Sequence, residues 1–336
     1  MTIRIGINGF GRIGRDYLRY VLDEPPNGEF EVAAINDVTD AATMCRLLRH
    51  DSTFGPLRHK VDEFGDSMAV DGRKIALTSE GDPAAVRWRD HGVQVVIESS
   101  GRFRARDAAA AHLAGGAAKV LITAPGKGVD ATIVMGVNDV HYDPERHHVI
   151  SNASCTTNCV APMAKVLHEA FGIGHGYMTT VHAYTNDQNV LDGPHKDPRR
   201  ARSAAVNIIP TTTGAARAVA EVIPALAGKL DGVALRVPVV DGSLVDLTVL
   251  VEHDVDAATV NAAFASAAHA GPLAGRLRYS SDPLVSTDVI GDPASCVFDS
   301  RLTEASGRMV KVFGWYDNEW GYSARLVDLT RLVARA

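Results

Sequence analysis

The chain has 336 residues, of which 46% are hydrophobic and 22% charged, which is typical of a folded globular protein and long enough for two domains. It carries 34 basic and 40 acidic residues, a formal net charge of −6, and lacks the broad basic footprint of nucleic-acid-binding proteins. We therefore expect no nucleic-acid partner.

The number of cysteines and the length of the apolar runs indicate the cellular compartment of the protein. Four cysteines in a chain of this length do not form a disulfide framework. The first residues run straight into a strand pattern without the apolar segment of a signal peptide, and no apolar run approaches the roughly 18 residues that a membrane span needs. We expect a protein of the reducing cytoplasm that does not contact a membrane.

Strand and helix patterns alternate along the first half of the chain. Ile3, Ile5 and Ile7 open a strand, and a helix from about Ile13 to Leu22 follows and ends before Pro25 and Pro26. Apolar runs typical of parallel strands covered on both faces predict the next elements. These are strands at Glu31–Asn36, Gln94–Ile97, Val120–Thr123 and Ile133–Gly136, and an alanine-rich helix at Asp107–Ala114. Repeated β-α-β units predict an α/β domain with a doubly wound parallel sheet of Rossmann type.

The second half has a different pattern. A helix starts near Cys155 and runs to about Phe171, a polar loop covers Thr185–Arg202, and another helix begins near Gly214. Longer strand-like stretches lie at Tyr177–Ala183, Gly232–Val237, Ser243–Val251 and Met309–Trp315, and the chain ends in a helix from Ser323 to about Val333. This pattern predicts an α+β domain with a mixed or antiparallel sheet, and the boundary falls just before Cys155.

A glycine-rich turn follows the first strand and opens the first helix. Gly9-Phe10-Gly11-Arg12-Ile13-Gly14 matches Gly-x-Gly-x-x-Gly, in which the first glycine permits the turn and the second lets backbone approach a pyrophosphate. Asp37 ends the second strand, 23 residues after Gly14 (37 − 14), where an acid accepts hydrogen bonds from a ribose. The pattern predicts a dinucleotide site that favours NAD over NADP, although Asp37 as a simple turn cap remains an alternative.

A cysteine stands at the start of the second domain, in Ser151-Asn152-Ala153-Ser154-Cys155-Thr156-Thr157-Asn158-Cys159. With Ser154 as N-cap, Cys155 lies in the first helical turn, where partial positive charge lowers a thiol pKa and favours a nucleophilic thiolate. Cys159 is better interpreted as a buried small residue, and we expect no metal because no second ligand pair follows. Cys155 could be a structural cysteine, but His182, at the end of a predicted strand, supplies a base and favours the interpretation of Cys155 as a nucleophile.

Several separate segments together resemble one family. The nine residues 151–159, Asn8–Gly14, Pro194–Asp197, Pro210–Ala216 and Trp315–Tyr322 are similar to phosphorylating glyceraldehyde-3-phosphate dehydrogenases. The resemblance extends from Ile3 to the C-terminal helix. It implies an NAD-binding Rossmann domain at 1–154 that is completed by the C-terminal helix 318–336, a catalytic domain at 155–317, and a homotetramer.

The resemblance also implies roles for individual residues. Cys155 would attack the aldehyde, and His182 would pair with the thiolate, act as base and stabilise the oxyanion together with the Cys155 N–H. Inorganic phosphate would then cleave the thioester, and Asn318 would hold the nicotinamide carboxamide. The implied cofactor contacts come from Phe10, Gly11, Arg12, Ile13, Asp37, Ser100, Thr123, Asn318 and Tyr322.

Two anion sites are implied as well. Thr185 and Arg236 would bind the phosphate of the substrate, glyceraldehyde 3-phosphate. The attacking inorganic phosphate would be bound by Ser154, Thr156, Arg200, Thr213 and Gly214. Thr213-Gly214 precedes a predicted helix, which is an anion site in its own right, and a forked guanidinium such as that of Arg236 matches a phosphate.

The chain departs from the commonest family pattern in three places. Ser100 replaces a threonine, Gly193 replaces a leucine, and Val239–Gly242 replaces a stretch often written Thr-x-Asn-Val. Two other functions stay open: a water-using erythrose-4-phosphate dehydrogenase, and a non-catalytic NAD-binding interaction protein. No Gly-x-Ser-x-Gly and no P-loop motif is present, which disfavours a serine hydrolase or a P-loop enzyme.

Overall fold

The computed structural model describes residues 2–24 and 28–335, and the chain divides into two compact units. The first unit takes the chain up to Ile133, then His141–Ala153 and the part from Ser323 onward. The second takes Val134–Val140 and Ser154–Tyr322. Within the described residues, no helix is both long and apolar enough to cross a membrane. Pro25 and Pro26, before which the first helix was predicted to end, lie outside the described residues.

The elements up to residue 153 include most of the predicted strands. They are β1 (Ile3–Asn8), α1 (Arg12–Asp23), β2 (Phe30–Asn36), α2 (Ala41–Arg49), β3 (His50–Asp51), β4 (Gly55–Pro56), β5 (Val61–Glu63), β6 (Ser67–Val70), β7 (Arg73–Thr78), β8 (Val95–Glu98), α3 (Arg106–Ala109), α4 (Ala111–Ala114), β9 (Lys119–Ile122), β10 (Ala131–Thr132) and β11 (Val149–Ser151).

The elements after residue 153 include four long strands. They are α5 (Cys155–Phe171), β12 (Ile173–Ala183), β13 (Ile209–Thr212), α6 (Ala215–Val222), β14 (Leu230–Val237), β15 (Ser243–Val251), α7 (Ala257–His269), β16 (Leu277–Ser280), β17 (Cys296–Asp299), β18 (Glu304–Ser306), β19 (Met309–Tyr316) and α8 (Trp320–Arg335).

The sheet of the first unit has the order β10-β11-β9-β8-β1-β2-β7-β6-β5. Pairing is parallel from β10 to β7, and β6 and β5 extend the edge in antiparallel fashion. β8, β9 and β11 are buried along their whole length, as their continuous apolar sequences require. The chain winds outward from β1 in one direction through β2 and in the other through β8. The predicted doubly wound sheet is therefore confirmed, with its switch point between β1 and β8.

The sheet of the second unit has the order β13-β14-β12-β15-β19-β17-β16, and β18 pairs with β19. β12 pairs in parallel with β14 and antiparallel with β15, so the sheet is mixed, as predicted. The side chains of β15 and β19 alternate between buried and partly exposed positions. One face of this sheet is thus covered within the chain.

Two predicted elements of the first half are wrong in detail. Ile133–Gly136 is a turn rather than a strand: the Val137 N–H donates to the Val134 carbonyl, the Asn138 side chain accepts from the Val134 N–H at 2.8 Å, and Gly136 has a φ of +81°. The alanine-rich helix is broken at Ala110 into α3 and α4. Apolar composition alone does not separate these cases from a strand or a continuous helix.

Candidate active site

The glycine-rich turn lies between β1 and α1, at the switch point of the first sheet. Gly9 has a φ of +90°, and a Cβ there would lie 2.5 Å from the Ser100 backbone. A Cβ on Gly14 would lie 2.3 Å from the Gly9 carbonyl oxygen. Gly11 is the N-cap of α1, has no side-chain cap and borders open space, so the first N–H groups of α1 face a ligand-sized opening.

A cleft of about 200 Å³ opens at this point and is lined by the turn, by the ends of β1 and β2, and by residues 99–103. Asp37 lies in its wall and its carboxylate accepts two backbone hydrogen bonds, from Phe10 N at 2.6 Å and from Thr39 N at 2.8 Å. Asp37 therefore caps a local turn and also fixes the glycine-rich turn, and its contact with a ribose stays a prediction. A carboxylate has about four acceptor positions, so two remain for ribose hydroxyls. The wall of the cleft thus offers the backbone turn and the acidic acceptor that one end of a dinucleotide needs.

The other predicted cofactor residues of the first unit take defined positions. The Arg12 guanidinium pairs with Asp51 and with Asp16, so a cofactor contact from this residue would come from its backbone. Ile13 follows it in the first turn of α1, and Thr123 follows β9. Ser100 borders the cleft, and its hydroxyl donates to Glu98.

The thiol and the imidazole are adjacent in the second unit. Ser154 is the N-cap of α5, and its hydroxyl accepts from Thr157 N at 3.0 Å, so Cys155 is the first helical residue. His182 is the penultimate residue of β12, and its Nε2 lies 3.4 Å from Cys155 Sγ. His182 Nδ1 lies 2.7 Å from the Ala183 carbonyl oxygen, which favours the tautomer with the proton on Nδ1. The Nε2 lone pair then points to the thiol.

The predicted low pKa of Cys155 is wrong for this arrangement. Burial raises the pKa of the thiol, and the positive charge of Arg236 and hydrogen bonds from Thr156 only partly oppose this. Burial, followed by the charge of Arg236, lowers the pKa of His182 to about 3. The unliganded pair is therefore a neutral thiol beside a neutral imidazole, rather than the ion pair implied by the family resemblance.

Arg236 connects the imidazole with the predicted substrate-phosphate site. It is the penultimate residue of β14 and lies beside His182 in the parallel register. Its Nη1 donates to Thr185 Oγ1 at 3.2 Å and to the Ala183 carbonyl oxygen at 3.0 Å. The same Nη1 lies 3.0 Å from His182 Nδ1. Its Nε is buried and has no hydrogen-bond partner among the described residues. The structure thus brings Thr185, Arg236 and His182 together and provides an N–H that an anion can accept.

The residues predicted for the attacking phosphate divide into two groups. Gly214 is the N-cap of α6 and borders open space, and Thr213 Oγ1 accepts from Ala215 N at 3.1 Å. Arg200 donates to Thr211 Oγ1 at 3.0 Å and pairs with Asp187, and its charge is close enough to lower the pKa of His182. In contrast, the Ser154 hydroxyl caps α5, and the Thr156 hydroxyl is buried against Tyr316 at 2.9 Å.

Comparison with known proteins decides the family. The model described as "Glyceraldehyde 3-phosphate dehydrogenase, NAD binding domain" matches residues 3–106, and "Glyceraldehyde 3-phosphate dehydrogenase, C-terminal domain" matches residues 154–318. The chain belongs to the glyceraldehyde-3-phosphate dehydrogenase family. It is 60% identical over 334 residues to the glyceraldehyde-3-phosphate dehydrogenase of Streptomyces coelicolor, covering 99% of each chain. It is also 55% identical over 335 residues to that of Geobacillus stearothermophilus, again covering 99% of each. The predicted family and the predicted cofactor, NAD, are confirmed.

Tyr316 contacts the candidate site, and it was not predicted from the sequence as a site residue. It is buried at the end of β19, and its hydroxyl lies 2.9 Å from both Thr156 Oγ1 and Thr180 Oγ1. Its ring meets the His182 ring edge-on, with centroids 5.9 Å apart. Tyr316 therefore fixes the start of α5 and the imidazole at once. The available signal was its place in the Trp315–Tyr322 segment, from which only Asn318 and Tyr322 were predicted as site residues.

Glu98 is a second missed residue, buried behind Ser100 of the nucleotide cleft. It is buried at the end of β8 and accepts from Asn8 Nδ2 at 2.6 Å, from Ser100 N at 2.9 Å and from the Ser100 hydroxyl. His112 Nε2 lies 2.9 Å from the same carboxylate. Glu98 therefore orients Ser100, which explains how a serine can serve where the family usually has threonine. No sequence signal separated this glutamate from an ordinary strand residue.

Asn318 and Tyr322 lie at the start of the last helix and are both buried. The Ser243 hydroxyl donates to Asn318 Oδ1 at 2.6 Å, and the Asn318 backbone N–H donates to Asp241 Oδ1 at 3.3 Å. The amide NH₂ of Asn318 is thus the end of this side chain that is turned toward a ligand. Asp241 belongs to the segment in which the chain departs from the common family pattern.

Proposed function

We propose that this chain catalyses the NAD-dependent oxidation of glyceraldehyde 3-phosphate, with inorganic phosphate, to 1,3-bisphosphoglycerate. The observation that carries the proposal is the 3.4 Å approach of Cys155 Sγ to His182 Nε2, with Arg236 and Thr185 beside the imidazole. The full-length identity to glyceraldehyde-3-phosphate dehydrogenases supports it. A non-catalytic NAD-binding protein would have no need of a thiol and a base in this geometry.

Attack on the aldehyde begins with the neutral thiol. His182 Nε2 accepts the proton of Cys155 as Sγ bonds to the aldehyde carbon, giving a hemithioacetal. Cys155 is the first residue of α5, so its backbone N–H has no intrahelical partner and can donate to the developing oxyanion. The imidazolium then protonates that oxygen.

Oxidation follows from the same pair of residues. His182 Nε2 takes back the hydroxyl proton of the hemithioacetal, and the carbon loses a hydride to become a thioester on Cys155. Bound NAD supplies the hydride acceptor for this step. Asn318 would hold its carboxamide, with the amide NH₂ left available by the bond from Ser243, and Tyr322 would support it.

Acyl transfer requires a second anion beside the thioester. Thr213, the N-terminus of α6 at Gly214 and the Arg200 guanidinium would bind inorganic phosphate, and a phosphate oxygen would displace the Cys155 thiolate. Thr185 and Arg236 would meanwhile hold the phosphate of the substrate. The capped state of Ser154 and the buried hydroxyl of Thr156 favour a role for these two residues in shaping the start of α5.

The active protein would be a homotetramer in the cytoplasm. In the single chain, large apolar side chains are exposed in the loop that precedes β13 and on the uncovered face of the second sheet. They include Val190, Leu191, Val206, Tyr177 and Met309, which are 55–76% exposed. Apolar groups clustered in this way favour burial against further copies of the chain. Static light scattering at micromolar concentration should give four times the chain mass, and a monomer would contradict the assembly.

Thiol labelling tests the nucleophile. One equivalent of iodoacetamide should abolish activity and label Cys155, because Cys45, Cys159 and Cys296 are buried. Cys296→Ser serves as the control and should label and turn over like the unaltered chain. Full activity of Cys155→Ser would overturn the proposed mechanism.

A further inference from the structure

Two buried carboxyl groups meet at the start of α8, and one of them is almost fully saturated with hydrogen bonds. Asp317 is 1% exposed, and its Oδ1 accepts from Glu319 N at 2.8 Å and Trp320 N at 2.6 Å. Its Oδ2 accepts from Gly291 N at 2.7 Å. Acceptance of three backbone N–H bonds favours the charged form of a carboxylate. Asp317 therefore caps α8, and these bonds favour its charged form, whereas burial raises its pKa.

The second carboxyl, Asp241, is also 1% exposed. Its Oδ1 accepts from Gly242 N at 2.8 Å and from Asn318 N at 3.3 Å, whereas no N–H donor reaches its buried Oδ2. Burial, the charges of Asp317 and Glu319, and then a hydrogen bond between the Asp241 and Asp317 carboxyl groups raise the pKa of Asp241. Two carboxyl groups can form such a bond only when one of them holds a proton. Oδ2 of Asp241 is the atom left to carry it.

Three acidic groups interact with Asp241 through their charge. They are Asp317 and Glu319 at the start of α8, and the thiol of Cys155 at the start of α5. A second negative charge on Asp241 would therefore be repelled from each of these sides. A neutral carboxyl, in contrast, completes the network and leaves the environment of the thiol unchanged.

We propose that Asp241 is a positioning residue of this enzyme, whose carboxyl shares a proton with Asp317 and thereby holds Asn318 in place. Burial, Asp317 and Glu319 raise the pKa of Asp241 to about 9, in agreement with a proton retained at neutral pH. The inference rests on the proposed function in one respect, since Asn318 matters for activity only if it holds the nicotinamide. The shared proton is independent of that role.

The hydrogen bonds show how the pair acts on Asn318. Asp241 Oδ1 fixes the Asn318 backbone, and the Ser243 hydroxyl fixes Asn318 Oδ1 while it accepts from Ala183 N at 3.1 Å. Asn318 is thus tied to the residue after His182 and to the cap of α8. Loss of the proton from Asp241 would place two anions in contact and loosen this link.

Unfolding experiments without NAD test the shared proton. In the unfolded chain Asp241 has the ordinary pKa of an aspartate and loses its proton near pH 4. In the folded chain it keeps the proton to about pH 9. The folded state thus binds one more proton between these values, and its stability falls as the pH rises. Asp241→Asn can donate and accept in the same places without a titrating proton. The ratio of its unfolding equilibrium constant to that of the unaltered chain should therefore fall as the pH rises. The fall should be up to tenfold per pH unit between pH 5 and 8.5.

Asp246→Asn, on the strand β15 that follows Asp241, is the matched control. Asp246 is partly exposed and pairs with Lys311 rather than with another acid. Its substitution should shift stability by a constant amount at every pH. Parallel curves for the unaltered chain and Asp241→Asn would overturn the shared proton.

NAD titrations, followed by fluorescence or calorimetry, test the positioning role. Asp241→Asn should bind NAD at pH 7 within twofold of the unaltered chain and keep that affinity at pH 9.5, where the unaltered chain weakens. Asp241→Ala should bind NAD about tenfold more weakly at pH 7, the equivalent of one hydrogen bond. Equal affinities for all three at pH 7 would refute the positioning role. Failure of the unaltered chain to bind NAD would instead refute the proposed function and leave the unfolding result standing.

Discussion

Replacement of Arg236 is the sharpest test of how the two anion sites divide. In Arg236→Ala the forked group that reaches Thr185, the Ala183 carbonyl and the imidazole is removed, together with the buried Nε that has no protein partner. A hydrogen bond to a charged group contributes about 1.5–3 kcal/mol. Loss of one to two such bonds to the substrate phosphate corresponds to roughly 10²-fold in KM for glyceraldehyde 3-phosphate.

The assay is steady-state NADH formation with each substrate varied in turn. KM for the aldehyde should rise by this amount, while KM for inorganic phosphate and for NAD changes by less than about threefold. Arg236→Lys should fall in between, because it keeps the charge but not the fork. Arg217→Ala on α6 is the control: Arg217 is exposed and pairs loosely with Asp231 at 3.5 Å, so the change should have no kinetic effect.

Two results would refute this reasoning. A main effect of Arg236→Ala on KM for inorganic phosphate would exchange the two anion sites. An unchanged KM for all three substrates, in a variant that unfolds at the same temperature as the unaltered chain, would remove Arg236 from the site altogether.

Three further predictions concern the cofactor, the imidazole and the buried tyrosine. Asp37→Ala should weaken NAD binding and relax its preference over NADP, because both the ribose acceptor and the bond to Phe10 N are lost; equal kcat/KM for the two cofactors in the unaltered enzyme would contradict this. His182 has a pKa of about 3 when folded against 6.5 ordinarily, so the unfolded chain takes up the proton first as pH falls. The free energy of unfolding should therefore decline between pH 6.5 and 3, by up to about 1.4 kcal/mol per unit, and His182→Asn should decline less steeply in urea titrations. Tyr316→Phe leaves two buried threonine hydroxyls without their partner and should lower the free energy of unfolding by about 1–3 kcal/mol, whereas Tyr142→Phe, whose hydroxyl is 3.5 Å from its acceptor, should change it little.

Features with a strong local signal were predictable from the sequence. The glycine-rich turn, the parallel sheet and the Ser154 cap of α5 each depend on residues close together in the chain, and all three have their predicted form. Strand β15 has the predicted bounds because buried and partly exposed side chains alternate along it. Cys155 and His182 were paired correctly, although 26 residues separate them, because the nucleotide turn and the family motifs supported both.

Features that depend on contacts between distant segments were not predictable. The raised pKa of Cys155 follows from its burial, which the charge of Arg236 only partly opposes, whereas the sequence shows only a helix start. Tyr316 and Glu98 acquire their roles from hydrogen bonds to residues 60 or more positions away in the chain. Glu98 also binds Ser100, two residues further on, but this contact is meaningful only because Ser100 borders the cleft. The Asp241–Asp317 pair likewise forms only when β15 and β19 pair, with Ser243 opposite Tyr316.

The central claim is that inorganic phosphate, rather than water, accepts the acyl group from Cys155. Its most direct test is NADH formation from glyceraldehyde 3-phosphate under steady turnover, with and without inorganic phosphate. The account predicts that turnover depends on phosphate, is restored by arsenate, and needs more phosphate in Thr213→Ala, whose lost hydrogen bond corresponds to about 1–3 kcal/mol. Steady turnover at an unchanged rate without either anion would contradict the account and assign the chain to a water-using dehydrogenase.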